Sequence, residues 1–396
     1  MTSKSRWLLF VVSTPLVVLA AVGGLLGANA PATSQPEKAF THLRVFEDVV
    51  SLIMSSYVET VDPNVVMEGA MRGLADGLDP MSAYLTPEEV AFAKNGTTMP
   101  AGEVGLVVSR QFYLRIVGVR DGSPAHRAGL RTNDFIRGID NKPTREVSAF
   151  AGMRLLRGEP GSTVELTVLR GNAAEPHVVT LTREVPRGDA ITTTKLPGGA
   201  AVVRVATFAP GTATALTKVV SGLQASGTTG VVLDLRSTAD GPVSEGIAAA
   251  RAFVSSGTIA LRSERDKERE VTSATNGDGA LTLPVVLLVS NGTAGAAEVF
   301  AAALNGNGRG DIVGEPTAGL AAEQRLVSLP EDRGLWMTYA RYLATDGEPI
   351  HGRGLRPNVA VESPSVTFDG PAPTTDEMLA KAVERLRPAA GAPEAR

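Results

Sequence analysis

The chain has 396 residues, 43% of them apolar and 20% charged, which suffices for two or three compact units with a sizeable core. Its formal net charge of −4 offers no basic surplus to neutralise a run of phosphates, so nucleic acid is not an expected partner. With no cysteine, a disulfide scaffold, a cysteine nucleophile and thiolate metal sites are excluded.

At the N-terminus, Lys4 and Arg6 precede an apolar stretch from Trp7 to Ala28 that ends in the small-x-small pattern Ala28-Asn29-Ala30, the layout of an export signal. Leu16 to Leu26 suits a cleavable segment, while the whole run reaches the roughly 20 residues needed to cross a bilayer. Residues 1–30 are therefore read as a signal peptide or an uncleaved membrane anchor, and the rest as extracytoplasmic, periplasmic or secreted. A polar spacer, Pro31 to Pro36, comes next. Apolar residues then recur at Leu43, Phe46, Val49, Val50 and Ile53, one face of a helix, and again at Val65, Val66, Met67, Ala70, Met71 and Leu74 beyond a break at Thr60 to Pro63. Residues 38–98 form a helical region containing a hairpin.

From 99 to 187 the pattern changes to short alternating runs between glycine turns: Val104 to Val108, Tyr113 to Val119, Asp134 to Ile139, Thr163 to Leu169 and Val178 to Arg183. Helical pieces at Ala125 to Ala128 and Val147 to Leu156 end at Gly129 and Gly158. This is a β-rich module with two helices. Residues 190–362 alternate β-branched runs (Val202 to Val205, Val231 to Leu235, Val285 to Val289, Ile312 to Val313) with helical patterns at Ala213 to Leu223, Glu245 to Val254 and Ala296 to Leu304. That is the rhythm of an α/β domain with a largely parallel sheet. Residues 363–396 comprise a linker, a helix from Asp376 to Leu386, and a tail expected to be disordered.

Three stretches together resemble the carboxyl-terminal processing, or tail-specific, serine peptidase family. In the helical region, Tyr57-Val58 and Leu78-Asp79-Pro80-Met81-Ser82-Ala83-Tyr84-Leu85 resemble its tyrosine-valine pair and L-D-P-H-S-x-Y-L, with Met81 in place of histidine. Gly122-Ser123-Pro124-Ala125, Ala128-Gly129-Leu130 and Asp134-Phe135-Ile136 resemble a PDZ module, with Asn133 replacing a turn glycine, a residue that tolerates positive φ. The resemblance implies a PDZ groove that takes a polypeptide C-terminus as an added strand, its carboxylate held at the loop Gly105-Leu106-Val107-Val108. It also implies a core of the crotonase-like ββα type, and self-association through the N-terminal hairpin and C-terminal helix.

Leu233-Asp234-Leu235-Arg236 resembles the family's L-D-L-R-x-N-x-G-G, whose glycine amides help to form the oxyanion hole. Asp240 stands in the place of the first of those glycines and Gly241 in the second; a carboxylate there is expected to oppose a developing oxyanion. Ser290 to Glu298 resembles N-x-(G/S)-(S/T)-A-S-A-S-E, and Val313-Gly314 to Leu320 resembles V-G-x-x-T-F-G-K. The position of the nucleophilic serine holds Gly295, and that of the lysine base holds Leu320. Gln324 matches a glutamine that assists the dyad.

A serine-lysine dyad needs a hydroxyl and a lysine desolvated enough to be neutral. Glycine supplies no oxygen and leucine no base. Ser290 and Thr293 are nearby hydroxyls; no lysine occurs from Glu268 to Ala380, where His351, with Asp346, is the remaining candidate base. His42, His126, His177 and His351 make no metal-binding pair, and no phosphate-cradling motif is present, so no cofactor and no metal is implied. Three readings compete: an inactive pseudopeptidase that binds polypeptide C-termini or a partner protein, an active endopeptidase with an unrecognised nucleophile and base, and a structural scaffold subunit. Homo-oligomerisation, and membrane attachment by an uncleaved N-terminal segment, accompany any of them. A fusion of alkaline phosphatase after Arg387 is expected to be active in cells, because the apolar run with its basic flank directs the downstream chain out of the cytoplasm; an inactive fusion contradicts export.

Overall fold

The computed structural model describes residues 34–94, 100–171, 175–364, 366–368, 370 and 374–386. The export segment and the tail beyond Leu386 lie outside these residues. Among the described residues, no helix is long and apolar enough to cross a membrane. The chain divides into two units, Met1–Ala70 and Met71–Arg396.

In the first unit, helix α1 (Ser34–Ser56) begins before the expected start near Leu43. Pro36 falls in its first turn, where no intrahelical N–H is required of it. Leu43, Val45, Val49 and Leu52 on α1 are exposed. Helix α2 (Pro63–Asp76), which runs across the division at Ala70, starts behind Asp62, whose carboxylate accepts from the Asn64 amide at 2.8 Å, with proline at the first helical position.

In the second unit, the core is a six-stranded sheet. Strands β9 (Ala201–Val205), β10 (Val231–Asp234), β13 (Val285–Val289), β14 (Gly310–Gly314) and β17 (Val359–Ala360) are parallel, and β8 (Ile191–Lys195) pairs antiparallel with β9. Their order across the sheet is β17-β14-β13-β10-β9-β8. The period-two alternation decides which layer each residue joins. Val203, Val205, Leu233, Leu287 and Val289 pack against helices α6 (Thr212–Ala225), α7 (Val243–Arg251) and α8 (Ala296–Gly306). Val232, Val286, Leu288 and Val313 face the other way, onto Met378 and Ala382 of α9 (Glu377–Leu386). Burial on both faces explains why these strands are continuous apolar runs. Helix α8 is buried along Ala296 to Leu304, and it can sit so close to α7 because Gly246 has no Cβ: one placed there would lie 2.3 Å from the Ala296 carbonyl oxygen.

A second, antiparallel sheet has no counterpart among the expected elements. It joins β1 (Ala83–Leu85), β16 (Gly334–Leu343), β11 (Thr258–Glu264) and β12 (Glu270–Ser273), with β15 (Ala322–Ser328) on the other side of β16. Apart from β1, which is short and buried, its strands alternate apolar with charged or aromatic residues and are partly exposed, so they lack the buried-strand signature. The turn before β1 is tied to this sheet by Ser82, whose hydroxyl donates to Asp79 at 2.7 Å and accepts from the Thr338 amide at 3.3 Å.

The β-rich module is a sheet of β2 (Leu106–Gln111), β3 (Tyr113–Val119), β4 (Phe135–Ile139), β6 (Thr163–Leu169) and β7 (His177–Thr182), adjacent in that order, with β5 (Lys142–Pro143) on β4. Between α2 and the module runs α3 (Pro87–Lys94). Helices α4 (Pro124–Arg127) and α5 (Ala149–Leu155) are capped by the hydroxyls of Ser123 and Ser148. Asn133 adopts a positive φ of 70° at the turn where it replaces glycine. Strand β2 is an edge strand, and α5 lies against it.

Candidate active site

Gly295 is the N-cap of α8, at φ 57° and ψ −115°, a conformation open chiefly to glycine. Space is not the constraint, since a Cβ built there meets no atom within 4 Å. Leu320 lies on the loop after β14 and is half buried. The two positions are joined through Glu298, one turn into α8 and fully buried. Its Oε2 accepts from the amides of Gly295 at 3.0 Å and Leu320 at 2.8 Å, and its Oε1 from the Gly319 amide at 2.6 Å and the Thr317 hydroxyl at 2.5 Å. Thr317 in turn accepts from the Leu355 amide at 2.8 Å. One carboxylate thus ties the helix start to the loop that follows β14. Burial pushes this carboxyl up to about 7, although all four donors favour the charged form.

The neighbouring hydroxyls are engaged elsewhere. Thr293, fully buried, donates to the Leu235 carbonyl at 2.8 Å and accepts from the Ser290 amide at 3.1 Å. The Ser290 hydroxyl accepts from the amides of Gly292 at 3.2 Å and Ser237 at 3.3 Å. These bonds hold the glycine turn against the turn after β10. His351 packs beside the Leu320 loop, the amide of Gly352 donating to the Gly319 carbonyl at 2.9 Å. Among the described residues its buried Nδ1 has no hydrogen-bond partner, and burial lowers its pKa, opposed by the Asp79 carboxylate. Asp346 does not pair with it; its carboxylate accepts from the Glu348 amide at 3.0 Å. Lys195 and Lys218 are exposed on β8 and α6, and Lys267 is paired with Glu264. Gln324 on β15 donates to the Thr338 hydroxyl at 3.2 Å.

The Asp240 carboxylate points to the β-rich module, where it lies 2.5 Å from Arg120 Nη2. Gly241, at φ 106°, has no room for a Cβ, which would fall 2.2 Å from the Phe208 carbonyl oxygen. Three further contacts seat the module on this turn. The Thr132 hydroxyl lies 3.1 Å from that of Ser237, a Cβ on Gly118 would lie 2.7 Å from Ala239 Cβ, and one on Gly292 would lie 2.8 Å from the Val117 carbonyl.

At the expected carboxylate loop, Gly105 has φ 79°, and a Cβ there would overlap that of Ser123 at 2.2 Å. The side chains of Leu106 and Val108 are buried in the core of the module, and Val107 is half exposed. The Arg110 amide is bonded to the Pro80 carbonyl at 3.1 Å, so the outer edge of β2 is closed beyond Ser109. Among the described residues no group of three or more metal-ligating side chains gathers.

Residues 199–361 match the model of peptidase family S41, residues 115–170 a PDZ domain and residues 26–89 the N-terminal domain of the activating protease CtpB. The carboxyl-terminal-processing protease of Synechocystis sp. is 31% identical over 73% of this chain and 69% of its own length. The chloroplastic C-terminal processing peptidase of Tetradesmus obliquus is 31% identical over 77% and 70%. Among solved structures, a photosystem II D1 C-terminal processing protease superposes with a TM-score of 0.68 at 29% identity, over 82% of this chain and 88% of that one.

The Glu298 bonds lead to a pH-dependent expectation. Its folded-state pKa of about 7 lies above the ordinary 4.5, so the stability it contributes is fully present below pH 4.5 and is lost as the pH rises through 7. That loss is at most about 3 kcal/mol. Glu298→Gln should remove this slope from urea-unfolding curves taken between pH 4.5 and 7.5. The variant should also be less stable at pH 5 by about 1–3 kcal/mol, since its amide can face only some of the four donors.

Proposed function

This chain belongs to peptidase family S41, the C-terminal processing proteases, and we propose that within that family it is a catalytically inactive member that binds polypeptide C-termini. The observation that carries this reading is the pair Gly295 and Leu320. Neither position offers a side-chain oxygen or nitrogen, while the hydroxyls of Ser290 and Thr293 are committed to holding the two turns together. A nucleophile must be free to be aimed and deprotonated, and a base must reach it. Neither condition is met by these groups.

Binding is supported separately, by the PDZ module. Among the described residues its β2 edge is unpaired over Leu106 to Ser109, beside a glycine loop of the kind that presents amides to a carboxylate. Because Pro80 occupies the Arg110 amide, the groove accommodates about four terminal residues as an added strand before a ligand must leave the module. The protein acts outside the cytoplasm, delivered by residues 1–30 and attached to the membrane where that segment is retained. The exposed leucines and valines of α1 support self-association.

A serine-reactive fluorophosphonate is expected to leave the protein unlabelled, and Gly295→Ser or Leu320→Lys alone to leave it inactive, because each supplies half of a unit. The combination Gly295→Ser, Leu320→Lys and Asp240→Gly is the fair restoration, although serine costs about 1–3 kcal/mol of backbone strain at this φ. Labelling of the unmodified protein that disappears with Ser290→Ala or with Thr293→Val overturns the inactive reading.

A further inference from the structure

The closed end of the PDZ groove is a small cavity of about 60 Å³ between the Gly105 loop and the core residues Ser237, Ala239 and Asp240. Two arginines line it, Arg120 and Arg157, and both are already matched. Glu103 bridges them: one carboxylate oxygen pairs with Arg120 Nη1, and the other lies 3.0 Å from Arg157 Nη2. Arg120 is shared with Asp240 on the core side. The Glu103 side chain is 12% exposed. Its backbone is clamped to Glu184, amide to carbonyl in both directions at 2.9 and 3.0 Å, so the carboxylate is delivered to the cavity by the strand pairing itself.

We propose that Glu103 is a built-in occupant of the carboxylate site, and that a polypeptide C-terminus binds by displacing it from Arg120 and Arg157. This rests on the groove's proposed role in binding C-termini. The space of the cavity is about that of two waters, enough for one carboxylate group beside Leu106 and Val107. The charges balance as they stand, two arginines against Glu103 and Asp240. A ligand carboxylate entering without a departure adds a third negative charge where like charges repel across a weakly screening medium. Displacement restores the balance, because the ligand takes over the same charge-assisted bonds to guanidinium. The Glu103 side chain then swings outward to water, its backbone unchanged. The internal carboxylate, held at high effective concentration, therefore sets a threshold that weak or uncharged chain ends do not pass.

The test uses the exported protein without residues 1–30 and a fluorescein-labelled decapeptide ending in valine, as the free acid and as the amide, with binding read by fluorescence anisotropy. The unmodified protein should bind the acid more tightly than the amide. Glu103→Gln, which keeps the shape and loses the charge, should tighten the acid about tenfold and leave the amide unchanged; adding Arg157→Ala should cancel most of the gain. If Glu103→Gln does not fold, Glu103→Asp, too short to bridge both arginines, should show the same ordering. Preference for the acid with no gain in either variant overturns the inference and leaves the groove's role intact. Equal binding of acid and amide by every variant overturns both.

Discussion

A fully buried carboxylate that serves four donors from two loops sets the geometry of everything around it. Burying a charge or an unpaired polar group is costly, and Glu298 avoids that cost only while Gly295, Thr317, Gly319 and Leu320 all stay in place. The helix start and the loop after β14 are therefore held together by one carboxylate bonded to three backbone amides and a hydroxyl. This separates the frame of the site from its chemistry. The side chains at 295 and 320 supply none of these donors, since both of Glu298's bonds to those residues are made by the backbone. The bonds of the frame therefore do not depend on which side chains stand at 295 and 320.

The module sits on that frame through polar contacts. Val117, Gly118 and Thr132 press on the turns that carry Ser237 and Gly292, where small residues allow the backbones to approach. The Arg120 to Asp240 pair joins the PDZ module to the turn after β10. Asp240 thus gives the core domain a charged partner in the PDZ module. Partly buried pairs of this kind contribute modestly to stability and more to which arrangement is adopted.

The parallel strands were legible because burial on both faces leaves apolar runs such as Val231 to Leu235 and Val285 to Val289. The antiparallel sheet was not, because residues such as Arg262, Glu323 and Tyr339 interrupt its strands and form a polar network across it. Gly295 and Leu320 could be placed from the spacing of neighbouring motif residues alone. Glu298 was visible as a motif letter, and its position three residues beyond an N-cap was a usable signal for capping. Its reach to the next loop was not, since that depends on how β14 and α8 pack. The partner of Asp240 lies 120 positions earlier in the chain, and nothing in local sequence connects the two.

If, as proposed, the chain binds polypeptide C-termini and does not cleave them, it should hold a chain end without cutting it. That distinction is open to direct measurement: an unstructured polypeptide with apolar C-terminal residues is incubated for several days with an equimolar amount of the protein. The bound and free fractions are then weighed by intact-mass spectrometry. Polypeptide should co-elute with the protein and be recovered at its full mass in both fractions. A truncated product that accumulates in proportion to protein concentration would contradict the loss of catalysis.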